Sequence, residues 1–195
     1  MIRFLVGFLT AVVLVLLVVF CYVRFGFVDP RADTEPGSLE TKLAMPALDA
    51  SVDRRAPDVK NPIQLNEENL LAGMKIYQSD CAGCHGDISH SHSPFGDSFY
   101  PRAPQFVEDA PDMPENQNFY IIQHGVRLSG MPGWKTSLKE SEMWQVTTFL
   151  SNMDKLPPHV LAAWKTAAAE PGAAVSADAG AKPATKDKRM DMSGH

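Results

Sequence analysis

The chain has 195 residues, 45% of them hydrophobic, with 15 prolines, three cysteines and a formal charge of −5. That length admits one or two domains, and the apolar residues are concentrated unevenly along it. Residues 25–195 carry 16 basic and 23 acidic side chains, a formal −7 that repels nucleic acid and favours basic partners or plain solubility.

From Phe4 to Val23 every residue is apolar or small except Thr10. Twenty helical residues rise about 30 Å, the thickness of a bilayer's hydrocarbon core. A secretory signal would have a shorter apolar run and a small-residue cleavage site. Here bulky "CYVRFGFVDP" follows, and Phe20 stands where a lipoprotein signal wants a small residue before Cys21. Residues 1–28 therefore read as an uncleaved transmembrane anchor, with residues 4–23 in lipid. Arg3 lies on one side and Arg24 and Arg31 on the other, so the positive-inside rule does not orient it.

Residues 29–65 contain Pro30, Pro36, Pro46, Pro57 and Pro62, each able to interrupt a helix. The stretch "SLETKLAMPALDA" suits a helical turn or two. The remainder reads as a flexible linker with a mean reach of roughly 30 Å.

Order is expected from Asn66 to Trp164. "NEENLLAGMKIYQ" places Leu70, Met74 and Tyr77 on one helical face, with Gly73 beside them and Asn66 as cap. "PENQNFYIIQHG" reads as a short helix ending at Gly125. "SLKESEMWQVTTFLSNM" sets Met143, Val146, Phe149, Leu150 and Met153 at helical spacing, with Ser137 and Glu140 as a capping pair. No segment alternates as a strand would. Residues 165–195, rich in Ala, Lys and Asp, read as a disordered tail.

The chemistry lies in "CAGCHGDISHSH" at 81–92. Cys81, Cys84 and His85 fit the C-x-x-C-H pattern of covalent haem attachment. Two thioethers fix the porphyrin edge to one helical turn, and the next residue turns an imidazole to the iron. A redox dithiol would need a βαβ setting, which is missing. A zinc site from Cys81, Cys84, His90 and His92 would have four ligands but an unfamiliar spacing. A chance match is the remaining alternative. Six-coordinate haem iron needs a distal ligand, and Met131, between Gly130 and Pro132 in "HGVRLSGMPGW", is the preferred candidate. Met74, Met143 and Met153 belong to helix faces, and Met113 precedes Pro114.

Together these residues resemble a class I c-type cytochrome of the bacterial, membrane-anchored monohaem type. Gly73, Tyr77 and Cys81 stand at four-residue intervals, as that family's glycine, aromatic and first haem cysteine do. The later Gly-Met-Pro and the final helix with Val146 and Phe149 complete the pattern. The resemblance spans about Asn66 to Leu156. It implies an all-α fold of three to five helices around one covalent haem c, with His85 proximal and Met131 distal. It implies that a proline carbonyl, preferably that of Pro104 rather than Pro101, fixes the His85 tautomer. Trp134, Arg102 and Arg127 become candidates for the haem environment. Because such haem is attached outside the cytoplasm, the soluble part is expected in the periplasm, anchored to the inner membrane. The expected function is single-electron transfer between redox protein partners, with a fixed subunit of a respiratory oxidoreductase as the alternative. A haem enzyme or gas sensor lacks a supporting acid–base constellation, and an envelope metal protein is the last alternative. His90 and His92 read as a polar loop. Met190, Met192 and His195 are soft ligands suited to Cu(I) on a tail that does not preorganise them.

Overall fold

The computed structural model describes residues 1–32, 34 and 36–169. Among them, all regular structure is helical. The chain divides into two compact units, the first Met1–Thr34 and the second beginning at residue 35.

The first unit holds α1, Ile2–Arg24, none of whose side chains is buried. With 23 residues it is long and apolar enough to cross a membrane.

The second unit departs from the linker expectation at its start. Residues Ser38–Arg55 form an 18-residue helix, α2, with Pro46 inside it. Proline removes one ladder donor and crowds the preceding turn, yet the helix continues through it. Its leucines Leu39 and Leu43 are exposed. Instead the far end is held: Val52 is buried, and Gln117 Nε2 donates to Asp53 Oδ1 at 2.7 Å. Asn116 Nδ2 donates to the Pro57 carbonyl at 3.0 Å, and Asn61 Nδ2 to Thr148 Oγ1 at 2.8 Å. Much of the stretch expected to swing free is thus fastened to the helical unit.

Helix α3, Glu67–Ile76, starts where Asn66 Oδ1 accepts the Asn69 N–H at 2.9 Å, and buries Leu70, Gly73 and Met74. It passes without a break into a π turn, Tyr77–Cys81, and then a single turn α4, Ala82–His85. Helix α5, Glu115–His124, ends at Gly125 with φ +68°, and α6, Glu140–Leu150, buries most of its length. The α6 cap lies two residues later than expected. Ser137 closes the short turn Trp134–Thr136, donating its N–H to the Trp134 carbonyl at 2.9 Å. Lys139 becomes the N-cap, and its N–H donates to Glu142 Oε2 at 2.7 Å.

Helices α3 and α6 cross at Gly73, where an added Cβ would stand 2.7 Å from the Gln145 carbonyl carbon and 2.9 Å from Phe149 Cβ. Only glycine lets the two backbones meet this closely. Around the crossing sit Met74, Tyr77, Met143, Val146, Phe149 and Leu150.

A last helix, α7, Pro158–Ala169, overruns the expected domain end at Trp164, and Ala168 is buried on its inner side. Proline suits its first position. The rest of the expected tail, with Met190, Met192 and His195, lies outside the described residues. Trp164 explains the overrun. Its ring meets Phe149 at 5.2 Å and Tyr77 at 5.9 Å, both edge-on, while Nε1 donates to Gln78 Oε1 at 3.0 Å. Trp164→Ala should cost about 3–5 kcal/mol, read as a lower guanidinium midpoint.

Candidate haem-binding site

Helix α4 is too short to satisfy its own backbone, so its carbonyls must find partners elsewhere. Each does. Ala82 O accepts the Gly86 N–H at 2.9 Å. Gly83 O accepts Ser93 Oγ–H at 2.6 Å, and Cys84 O accepts Gln105 Nε2 at 3.1 Å. His85 O accepts the Phe106 N–H at 3.2 Å, and Gly86 O accepts the Tyr77 hydroxyl at 2.7 Å. The loop from 93 to 106 therefore wraps the motif turn, and Gly96 fits against Cys84 O where no Cβ could. Burial, with Cys81 and Asp87 nearby, drives the Tyr77 hydroxyl well above its ordinary range, so it stays a donor.

His85 is buried, and its ring is held on two sides. Nδ1 lies 2.8 Å from the Pro104 carbonyl, and the Phe106 ring stacks on it at 4.3 Å and 5°. A carbonyl only accepts, so Nδ1 carries the proton and Nε2 keeps its lone pair. Burial lowers the imidazole's affinity for a proton, opposed by the Pro104 hydrogen bond. The result is an oriented, neutral nitrogen ligand, with the bond to its second nitrogen in place. Pro104, rather than Pro101, makes that bond.

Cys81 and Cys84 are half-buried and free of any disulfide. Burial pushes the Cys81 thiol up to about 12, with Asp80 and Cys84 adding to it, and burial also raises Cys84. Two thiols and an imidazole lacking only its Nε2 partner make a donor set that fits covalent haem.

Met131 is partly buried and packs against the edge of the core. Its N–H donates to Ser129 Oγ at 3.1 Å, and its carbonyl accepts the Val126 N–H at 3.1 Å. Gly125 has no room for a side chain, since a Cβ would meet the Met131 oxygen at 2.6 Å. Gly130 lies against the Phe99 ring. This loop is braced at both ends. Arg102 and Arg127 are exposed, as is Pro104 itself. Met113 serves α5 through its backbone, its carbonyl accepting Asn118 Nδ2 at 3.0 Å.

His90 and His92 part company. His90 Nδ1 approaches Asp87 Oδ1 at 3.6 Å with its side chain 77% exposed. His92 Nε2 lies 2.7 Å from Asp97 Oδ2, and Nδ1 lies 3.8 Å from Glu108 Oε2. No group of three or more His, Cys, Asp or Glu among the described residues is placed to hold a bare metal ion. The zinc alternative is therefore not assembled there. The hydrogen bond and charge of Asp97 raise the His92 proton affinity, with Glu108 assisting. A folded-state value above the unfolded one stabilises below the ordinary histidine value of about 6.5, and that contribution fades as pH rises through the raised value. The melting-temperature gap between the wild type and His92→Gln should thus be wider at about pH 5.5 than at about pH 8.5.

Sequence reasoning missed Ser93, Gln105, Gln78 and Asp87. None belongs to a motif. Their only signal is polarity within a segment that must lie close to a buried helical turn.

Residues 68–150 match the family model described as cytochrome C oxidase, cbb3-type, subunit III. A comparison with curated proteins gives no match. Among solved structures, similarity is found to a chain of the Kuenenia stuttgartiensis reducing HAO-like protein complex Kustc0457/Kustc0458. The identity is 21%, half of each chain is covered, and the TM-score is 0.41. The chain thus spans about half the length of that neighbour, a likeness too distant to bear on function.

Proposed function

From the class I c-type cytochrome domain that residues 68–150 form, we propose that this protein is a membrane-tethered monohaem carrier of single electrons between redox proteins. The observation that supports this reading most directly is His85, buried, neutral and fixed through Nδ1 to Pro104, in the turn that carries Cys81 and Cys84. Haem c supplies a one-electron couple. The chain's residues do the rest. Cys81 and Cys84 would hold the porphyrin covalently through their sulfurs, as thioethers. His85 Nε2 and the Met131 sulfur would be the two protein ligands to the iron. Two protein ligands would leave the iron no open place for a substrate, which suits electron transfer. Trp134 and Arg102 or Arg127 would bond or neutralise haem propionates.

Helix α1 spans the inner membrane as a single pass, and the haem unit faces the periplasm. Its donor and acceptor are redox proteins there or in the membrane.

A second reading, a fixed haem subunit of a respiratory oxidoreductase, is favoured by two observations. The matched family is described as an oxidase subunit. Asp53, Pro57 and Asn61 are fastened to α5 and α6 rather than left as tether.

Expression with haem-maturation machinery, followed by a covalent haem stain on a denaturing gel, tests the cofactor. One haem per chain is expected, and a colourless band overturns the reading. Purification in mild detergent separates the two functions. A monomer that exchanges electrons with a soluble redox protein supports the carrier, and a stoichiometric partner supports the subunit.

A further inference from the structure

Asp87 lies two residues beyond His85 and is buried, 4% exposed. Oδ1 accepts the backbone N–H groups of Ser89 at 2.8 Å and His90 at 2.7 Å. Oδ2 accepts Gln78 Nε2 at 3.2 Å. All three neighbours are donors, and only the ionised carboxylate can accept from each of them without turning an oxygen into a donor. Gln78 cannot reverse this arrangement. Its Oε1 is occupied by the indole N–H of Trp164, a group that can only donate, so its NH₂ must face Asp87.

A buried anion is costly unless a cation compensates it. The ring paired with Asp87 belongs to His90, 3.6 Å away and largely in solvent, where screening weakens any pairing. The π turn contributes to this arrangement, since it holds both Tyr77, whose hydroxyl reaches Gly86 O, and Gln78, whose amide reaches Asp87. Such insertions recur at functional positions. The fold thus sets an undercompensated negative charge directly behind the proposed haem turn.

We infer that Asp87 is a fixed buried anion that lowers the reduction potential of the haem held by Cys81, Cys84 and His85. This rests on the haem reading. When a redox donor delivers one electron, the site loses one unit of positive charge while Asp87 keeps its own charge and all three hydrogen bonds. The carboxylate therefore favours the oxidised form. It acts through the motif as a positioning and charge-setting residue and touches no reacting atom.

The test uses the full-length, haem-loaded protein in detergent, poised by mediators at the wild-type midpoint. Asp87→Asn should raise the reduced-to-oxidised ratio about tenfold, which is about 59 mV for a one-electron couple. A second variant, Asp87→Asn combined with Gln78→Glu, puts the carboxylate on the other side of the same hydrogen bond. The new carboxylate still accepts from Trp164 and also accepts from the amide at 87. Its ratio should return to within about twofold of wild type, which a merely structural role for Asp87 does not predict. A haem-loaded Asp87→Asn protein with an unchanged ratio overturns the inference alone, as does a double variant as shifted as the single one. If the single variant does not accumulate, the double variant decides: a wild-type ratio upholds the inference and a raised one overturns it. An unsubstituted chain without covalent haem overturns the haem reading and this inference with it.

Discussion

Gly73→Val leaves no haem protein to isolate. A Cβ at this position would press into the Gln145 carbonyl and stand 2.9 Å from Phe149 Cβ, both on α6. These are backbone and near-backbone atoms, so no rotamer change relieves the contact, and the helices must separate. Overpacking in cores costs 1–3 kcal/mol where side chains can yield. Here Gly73→Ala should cost about 3 kcal/mol or more, and valine adds two further methyl groups. Against a domain stability of roughly 5–15 kcal/mol, the alanine variant survives weakened and the valine variant does not. The loss propagates to the site. The α3–α6 crossing sets where Tyr77 stands, and its hydroxyl holds Gly86 O behind the haem turn. The check is a guanidinium melt of the alanine variant and a covalent haem stain of the valine variant. An alanine midpoint equal to wild type would show that the crossing tolerates a methyl group.

The second large effect belongs to Met131. Replacing it with alanine should leave haem covalently attached, because Cys81, Cys84 and His85 are untouched. The oxidised protein should lose the far-red sulfur-to-iron charge-transfer band, and the potential should fall. Axial ligands command roughly 0.8 V among haem proteins, and thioether ligation raises the potential. A fall on the order of 0.1 V or more is therefore expected, read by mediated spectroelectrochemistry. Met131→His should keep six-coordination at a lower potential than wild type. The loop itself should stay in place, since its bracing is backbone geometry: Gly125 in the left-handed region, Ser129 Oγ on the Met131 N–H, and Val126 N–H on the Met131 carbonyl. An alanine variant with an unchanged band would assign the distal position to another residue.

The two reduction-potential effects are separable. On the proposed ligation Met131 would act by bonding to the iron, so its replacement should alter the spectrum and the potential together. Asp87 acts by charge, so its neutral variant should move the potential in the opposite direction with the ligand bands intact.

Several features were legible from the residues because their causes are local. Asn66 caps α3, and Leu70, Met74 and Tyr77 share its buried face, because a 3.6-residue period and a capping side chain act within a few positions. Gly125 ends α5 because a left-handed residue is needed there. Cys81, Cys84 and His85 stand out by spacing, since a cofactor bonded to one helical turn would need its ligands at fixed short intervals. The apolar helix α1 follows from composition alone.

What folding added lies in contacts between distant positions. Pro46 reads as a helix breaker in isolation, yet α2 runs through it, and Asp53 and Pro57 at its far end are bonded by Gln117 and Asn116 of α5 about sixty positions away. Trp164 looks like the end of a domain until its indole is seen to reach Gln78, 86 positions earlier, which carries α7 onward to Ala169. Ser93, Gln105 and Asp87 carry no motif because their task is to satisfy polar groups that only the folded chain buries. Periodicity and covalent spacing are written along the chain, whereas the demand that every buried carbonyl and carboxylate find a donor arises only once the helices have packed.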